Sequence, residues 1–228
     1  MSKLIPLLIK ATGLSEHDIL RIVANAPIRY KTYSIPKRNG DRRLISQPAT
    51  ELKALQRVIS DEILSQMPVH PAAMAYRAGI SIKANAAAHA GNGPILKFDF
   101  ADFFPSIASD DWKRFCQGHS IFEDSEDIRI STQILFRRYP GRGGLRLAIG
   151  APSSPTLSNV LMYDFDTRIS KMVLQEDVTY TRYADDLTFS ARRTGFLNHV
   201  EKFLREAVVN TKSPRLAINE EKTVRSEE

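Results

Sequence analysis

Thr179-Tyr180-Thr181-Arg182-Tyr183-Ala184-Asp185-Asp186-Leu187-Thr188-Phe189-Ser190 is the stretch whose reading decides the fold of this chain. Tyr, Thr, Phe and Leu flank the paired aspartates on both sides. These residue types suit a half-buried pleated surface, so the stretch predicts two strands meeting at a tight turn. The carboxylates then sit at the hairpin tip, where the alternation of strand faces relaxes and at least one of them can face a metal site. A divalent ion such as Mg2+ takes carboxylate oxygens together with substrate phosphates, which asks for a second acidic strand end.

Pro94-Ile95-Leu96-Lys97-Phe98-Asp99-Phe100-Ala101-Asp102-Phe103-Phe104-Pro105-Ser106-Ile107 supplies one. The apolar run before Asp99 reads as a buried strand, and Pro105 prevents extended pairing from continuing. Two strand-end carboxylates remote in sequence can converge in one sheet and hold two metal ions, an arrangement suited to in-line phosphoryl displacement. Taken singly, an Asp-Asp turn is ordinary turn chemistry and Asp99 a strand terminator or helix cap. Their joint occurrence is what points to a site.

The 228 residues suffice for a real core, as one domain or as two intimately packed lobes. A formal charge of +6 and a pI near 9.5 favour a polyanionic partner. Cys116 is the one cysteine, which excludes an intrachain disulfide framework or a cysteine zinc site and fits a reducing compartment. No apolar run is long enough to span a bilayer, and Met1 to Lys10 is too short for a signal peptide. The expected location is the cytoplasm, with no membrane partner.

Working outward, residues 1 to about 28 read as short helices, with Ser15 as N-cap, Asp18 three positions on and Pro27 as terminator. Tyr33 to Ile45 carries Asn39-Gly40 between strand-like residues, a hairpin signal, and bears Lys37, Arg38, Arg42 and Arg43. Such a basic hairpin suits phosphate recognition or is a solvated turn. From Glu51 to Met67, Leu52, Leu55, Val58, Ile59, Ile63 and Leu64 mark an amphipathic helix with Lys53, Gln56 and Arg57 outward. An Ala-rich helix follows in which Asn85 and His89 share a face. Residues 109 to 148 read as helical with a loop. There Glu123 to Asp127 forms a solvated acidic first turn, and Arg129, Arg137, Arg138, Arg142 and Arg146 are candidates for a phosphate-tracking groove. Ser154 then caps a helix with Pro155 in its first turn and a buried stripe of Leu157, Val160, Leu161, Phe165, Ile169 and Met172.

Tyr183-Ala184-Asp185-Asp186, preceded by Phe98-Asp99-Phe100-x-x-Phe103-Phe104 and by Gly150-Ala151-Pro152-Ser153-Ser154-Pro155, resembles the palm of reverse transcriptases in residue type and order. The resemblance runs from about Tyr33 to about Thr223. Asn85-Ala86-x-x-His89 is similar to the element that sets retron-type members apart, so the chain is identified as a bacterial retron-type reverse transcriptase. That resemblance implies an α+β fold with right-hand fingers and palm, the palm an antiparallel sheet backed by helices. Residues 1–28 would form an N-terminal helical segment, 29–93 fingers, 94–108 the first part of the palm, 109–148 a fingers insertion and 149–228 the second part of the palm. The resemblance also implies a thumb, for which the five residues after Thr223 leave no room, so the expectation is a truncated sequence, a thumb supplied by another chain or a degraded member.

By the same resemblance Asp99, Asp185 and Asp186 are the catalytic acids. They would bind two Mg2+ ions, with Mn2+ as a substitute and the carbonyl of Phe100 adding an oxygen. Lys37 and Arg42 would meet the triphosphate, and Arg43, Asn85, His89 and Arg142 RNA. Phe104 matches the aromatic beneath the nucleotide sugar, which would exclude a 2'-hydroxyl; Phe103 reads as core. Ser153 would lie near the nucleotide, at a place where many members carry Gln. Lys222 would stand near the leaving pyrophosphate or be merely solvated. The implied reaction is RNA-directed synthesis of single-stranded DNA from dNTPs on a structured non-coding RNA that is both template and primer. The implied setting is antiphage defence with a toxin or effector protein. The competing readings are a group-II-intron-like or diversity-generating reverse transcriptase, and an RNA-binding palm scaffold that does not polymerise.

Overall fold

The structure, a computed structural model, describes residues 2–37 and 40–226. In chain order the elements are α1 Leu4–Thr12, α2 Glu16–Asn25, β1 Tyr30–Pro36, β2 Arg42–Pro48, α3 Thr50–Glu62 and α4 Ile82–Ala87. Then come β3 Ile95–Asp99, α5 Phe103–Ser106, α6 Ser109–His119, α7 Ser125–Leu135, β4 Arg137–Arg138 and β5 Leu145–Arg146. Last are α8 Ser154–Leu161, α9 Tyr163–Gln175, β6 Val178–Tyr183, β7 Asp186–Ala191, α10 Leu197–Asn210 and β8 Val224–Ser226. They form two compact units, Met1–Met67 with Phe104–Ser158 and Pro68–Phe103 with Asn159–Glu228.

The first unit is helical, with a hairpin projecting from it. Ser15 caps α2 as its sequence predicts, its hydroxyl accepting from the Asp18 amide at 3.1 Å and donating to the Asp18 carboxylate at 2.7 Å. The start of α1 is capped from a distance. The buried Asp127 carboxylate accepts from the amides of Lys3 (2.8 Å) and Leu4 (3.3 Å) and from the Ser2 hydroxyl. The acidic turn of residues 123–127 is therefore only partly solvated: Asp124 caps α7, while Asp127 stabilises another helix's free amides. Gln56, expected outward on α3, is buried, and its amide nitrogen donates to the Tyr30 hydroxyl (2.9 Å) and the Ile134 carbonyl (2.8 Å). The helix itself stops at Glu62, before a tighter turn over Leu64–Gln66.

β1 and β2 pair antiparallel from Tyr30↔Pro48 to Pro36↔Arg42, as the sequence predicts. Arg38 and Asn39 of the expected turn lie outside the described residues. Two devices hold the base of the hairpin. The Ser46 amide donates to the Ile149 carbonyl at 2.7 Å. Gly150 (φ +114°) packs so closely that a Cβ there would lie 2.9 Å from Ile45 Cγ2 and 3.0 Å from the Ser46 carbonyl oxygen. Arg137 adds a third hold and corrects the expected arginine groove. It is buried, donates to Thr32 Oγ1 (2.7 Å) and Ser46 Oγ, and stands 5.4 and 4.7 Å from the ring centres of Tyr30 and Tyr139. Arg129 is paired with Glu126 and Arg146 donates to the Ser106 carbonyl, while the side chains of Arg138 and Arg142 are exposed.

The second unit is an antiparallel sheet ordered β6-β7-β3-β8, with α9 against β6 and α10 against β3 and β7. Strand alternation puts Phe98, Tyr180, Leu187 and Phe189 into the core, where Phe98 and Phe189 meet edge to face and Phe100 lies edge-on to Phe165. The opposite face of the hairpin carries Thr179, Thr181 and Ser190. The expected single helix after Pro155 is two, broken at Met162, and Ser154 is its first residue rather than its cap. Leu157, Val160, Leu161, Phe165 and Ile169 are buried as the stripe predicts, and Met172 is half-buried.

Candidate active site

β6 and β7 meet at a two-residue turn, Ala184-Asp185, because Tyr183 pairs with Asp186. In the adjoining ladder Asp99, the last residue of β3, stands opposite Asp186. The Phe100 amide donates to the Asp185 carbonyl at 3.0 Å, which ties the turn to the end of β3. This register, set by the buried faces of three strands, brings carboxylate oxygens of Asp99, Asp185 and Asp186 within 4.8 Å of one another. Asp99 is buried, Asp185 half-buried and Asp186 exposed.

Three acids this close repel. Partial burial, then the charges of Asp185 and Asp99, push the Asp186 carboxyl up to about 6, against an opposing pull from Lys222. Lys222 Nζ donates to Asp99 Oδ2 at 2.9 Å and Asn219 Nδ2 to Asp99 Oδ1 at 3.3 Å. The hydrogen bond to Asp99 in turn raises the Lys222 pKa, so the lysine stays cationic. One ammonium facing three carboxylates leaves an excess of negative charge on hard oxygen donors, a donor set that fits Mg2+ or Mn2+.

The other expected residues fall into two groups. Lys222 and the backbone of Phe100 adjoin the triad, while the Phe100 ring is core, stacked on Phe103 at 5.8 Å. Beside Asp186 opens a cavity of about 450 Å3 whose lining includes Asn85, Lys97 and Tyr183, and the Asn85 Oδ1 is buried without a partner among the described residues. His89 is buried against the hairpin. Its Nδ1 meets Ser190 Oγ at 2.6 Å and its Nε2 meets Thr181 Oγ1 at 2.7 Å, so both ring nitrogens are spent on stapling the segment after α4 to the hairpin. Asn92, which the sequence reading passed over, adds bonds to Ser190 and Thr179.

Lys37, Arg42, Arg43, Phe104, Arg142 and Ser153 belong to the first unit. Lys37, Arg42 and Arg43 are exposed on the hairpin, with Arg42 Nε donating to Ser34 Oγ at 2.8 Å. Arg142 is exposed at the Tyr139–Arg142 turn, Phe104 is half-buried in α5, and the Ser153 hydroxyl is buried with no partner among the described residues. Sequence reasoning also missed Asn219 and the buried Arg182–Asp166 pair. A signal for the pair was present: Arg182 shares a strand face with Val178 and Tyr180, and an arginine on a buried face needs an acid.

Residues 35–228 match the family model described as reverse transcriptase (RNA-dependent DNA polymerase). The chain belongs to the reverse transcriptase family. Among relatives of this reverse transcriptase chain, the retron Ec83 reverse transcriptase of Escherichia coli is 34% identical over 213 residues, covering 92% of this chain and 68% of that one. The retron Mx162 reverse transcriptase of Myxococcus xanthus is 36% identical over 197 residues (80% and 41%), and that of retron Ec86 of Escherichia coli 34% over 216 (94% and 64%). These relatives make the chain a retron-type reverse transcriptase. It spans between 41% and 68% of the length of these relatives. Telomerase from Candida albicans shares the fold, with a TM-score of 0.59 at 13% identity over 86% of this chain and 42% of that one.

Proposed function

We propose that this chain is the catalytic core of an RNA-directed DNA polymerase that makes single-stranded DNA on a structured non-coding RNA serving as template and primer. The observation that carries the reading is the gathering of Asp99, Asp185 and Asp186 within 4.8 Å at a sheet end. These acids, with the Phe100 carbonyl, would hold two Mg2+ ions or Mn2+ in their stead. When bound, the ions supply charge stabilisation to the attacking and leaving oxygens of an in-line displacement. Lys222, kept cationic by Asp99, offers its ammonium to the departing pyrophosphate.

In the same proposal residues 29–93 and 109–148 are fingers, and 94–108 and 149–228 palm. Lys37 and Arg42 grip the dNTP triphosphate, the bidentate fork of Arg42 being suited to phosphate oxygens. Phe104 excludes a 2'-hydroxyl, Ser153 lies near the nucleotide, and Arg43, Asn85 and Arg142 contact RNA. No helix among the described residues is long and apolar enough to cross a membrane, and in this proposal the enzyme works in the cytoplasm, in antiphage defence beside an effector protein.

Primer extension tests the reading: the full chain, an RNA template with a DNA primer, dNTPs and Mg2+. Incorporation that disappears in Asp185→Asn is expected. RNA binding without incorporation under Mg2+ or Mn2+ would overturn the polymerase reading in favour of a binding scaffold.

A further inference from the structure

Two residues before the turn, β6 carries an arginine that the proposed chemistry leaves unused. Arg182 is wholly buried, a position a guanidinium tolerates only when its donors are satisfied. Its Nε and Nη2 grip the Asp166 carboxylate of α9 at 2.9 and 2.7 Å, and Tyr180 donates to the same carboxylate at 2.7 Å. Its backbone is fixed as well, the amide donating to the Ala72 carbonyl (2.7 Å) and the carbonyl accepting from Met74 (2.8 Å). From this braced position Nη1 reaches forward to Asn159 Oδ1 (3.1 Å) and to the Ala184 carbonyl (3.0 Å).

That last bond touches the turn itself. Ala184 has a left-handed backbone, φ +60°, a conformation that a residue with a Cβ adopts at a cost. Its carbonyl belongs to the peptide leading into Asp185. The peptide leaving Asp185 is held by the Phe100 amide. Both peptide planes flanking Asp185 are thus fixed, one by the end of β3 and the other by a guanidinium.

We propose that Arg182, braced by Asp166 and Asn159, is a positioning residue that holds the Ala184 backbone and so aims the Asp185 carboxylate at the point where those of Asp99 and Asp186 converge. This role rests on the reading of the three aspartates as a cation site. Lysine at 182 would keep the charge opposite Asp166, but a single nitrogen on a flexible stem cannot span Asp166, Asn159 and Ala184 together.

The test is Mn2+ binding to the full 228-residue chain, followed by electron paramagnetic resonance of the free ion, with thermal unfolding of each variant. Arg182→Lys is expected to weaken Mn2+ binding about tenfold, the scale of one lost charge-assisted hydrogen bond. Tyr180→Phe removes a bond to Asp166 without touching Ala184. It should lower the melting temperature yet leave Mn2+ affinity within about twofold. Adding Ala184→Gly to Arg182→Lys should recover about threefold in affinity, because glycine takes a positive φ without being held there. Should Arg182→Lys not be recovered folded, Asn159→Ala removes one support of the same nitrogen and is expected to cost about threefold. Wild-type Mn2+ affinity in a folded Arg182→Lys or Asn159→Ala, or affinity that merely follows melting temperature with no rescue by glycine, would overturn the positioning role while leaving the cation site standing. Absence of Mn2+ binding by the wild type would overturn the cation site itself, and the role with it.

Discussion

Gly150→Ala is the substitution whose cost can be worked most directly from the structure. A Cβ at this position would stand 2.9 Å from Ile45 Cγ2 and 3.0 Å from the Ser46 carbonyl oxygen. The isoleucine methyl is the end of a flexible side chain and can turn away. The Ser46 carbonyl is backbone, and moving it disturbs the Ser46–Ile149 bond at 2.7 Å and the Arg137 contact at the base of the hairpin. Overpacking of this kind costs about 1–3 kcal/mol. The backbone at φ +114° adds its own penalty for an L-residue, about 1–3 kcal/mol. The expected loss is therefore roughly 2–6 kcal/mol. Gly13→Ala separates the two contributions within the same unit, because Gly13 also has a positive φ (+71°) but nothing within 4 Å of its missing Cβ; it should lose only about 1–2 kcal/mol. Urea unfolding followed by fluorescence of Trp112, the one tryptophan and wholly buried in that unit, reads both variants. A Gly150→Ala loss no larger than that of Gly13→Ala would refute the claim that the Gly150–Ser46 approach fixes the hairpin.

Other expectations follow from the same structure. Burial, and then the charge of Lys97, lower the His89 pKa. Above about pH 6.5 both folded and unfolded chains carry neutral imidazole, whereas below it the unfolded chain takes up the proton first and stability falls. Between pH 7 and 5 the melting temperature should therefore fall more steeply, or rise less, in wild type than in His89→Gln, on a shared background in which His70, which burial also lowers, acts in the same sense and Asp186, raised to about 6, in the opposite one; parallel slopes would contradict this. Asp127→Ala removes the carboxylate that caps α1 and should cost about 1–2 kcal/mol, with faster hydrogen exchange at the Lys3 and Leu4 amides as its local signature. Phe104→Ala should let ribonucleotides into primer extension, and an unchanged preference for deoxynucleotides would defeat the proposed sugar exclusion.

What the sequence made legible is what local pattern controls. The flanks of Asp185-Asp186 alternate like strands and form them, the apolar run to Asp99 is a strand ending where expected, and Ser15 caps α2 through Asp18. Illegible were the partners that arrive from far along the chain. Gln56 looked outward by helical spacing, yet Tyr30 and the Ile134 carbonyl meet it in the interior. Arg137 looked like a phosphate ligand because its own neighbours are basic, but its partners Thr32 and Ser46 lie about a hundred residues earlier. His89 and Asn85 share a helix face in the sequence pattern. In the structure the chain leaves the helix at Ala87, and His89 turns into the hydroxyl face of the hairpin. Composition alone does not reveal which polar residue will find a buried mate.

The central claim is that Asp99 and the Asp185-Asp186 pair share divalent cations. Its most direct test is thermal unfolding of the full chain during titration with Mg2+, and separately Mn2+, in wild type, Asp99→Asn and Asp185→Asn, since an ion bound only by the folded state raises the melting temperature with concentration. The expected result is a saturable rise in wild type that is lost in both variants, with Asp185→Asn more stable than wild type in the absence of cation because the charge that most repels Asp186 is gone. A wild type indifferent to both ions, or a rise that persists undiminished in Asp99→Asn, would contradict it.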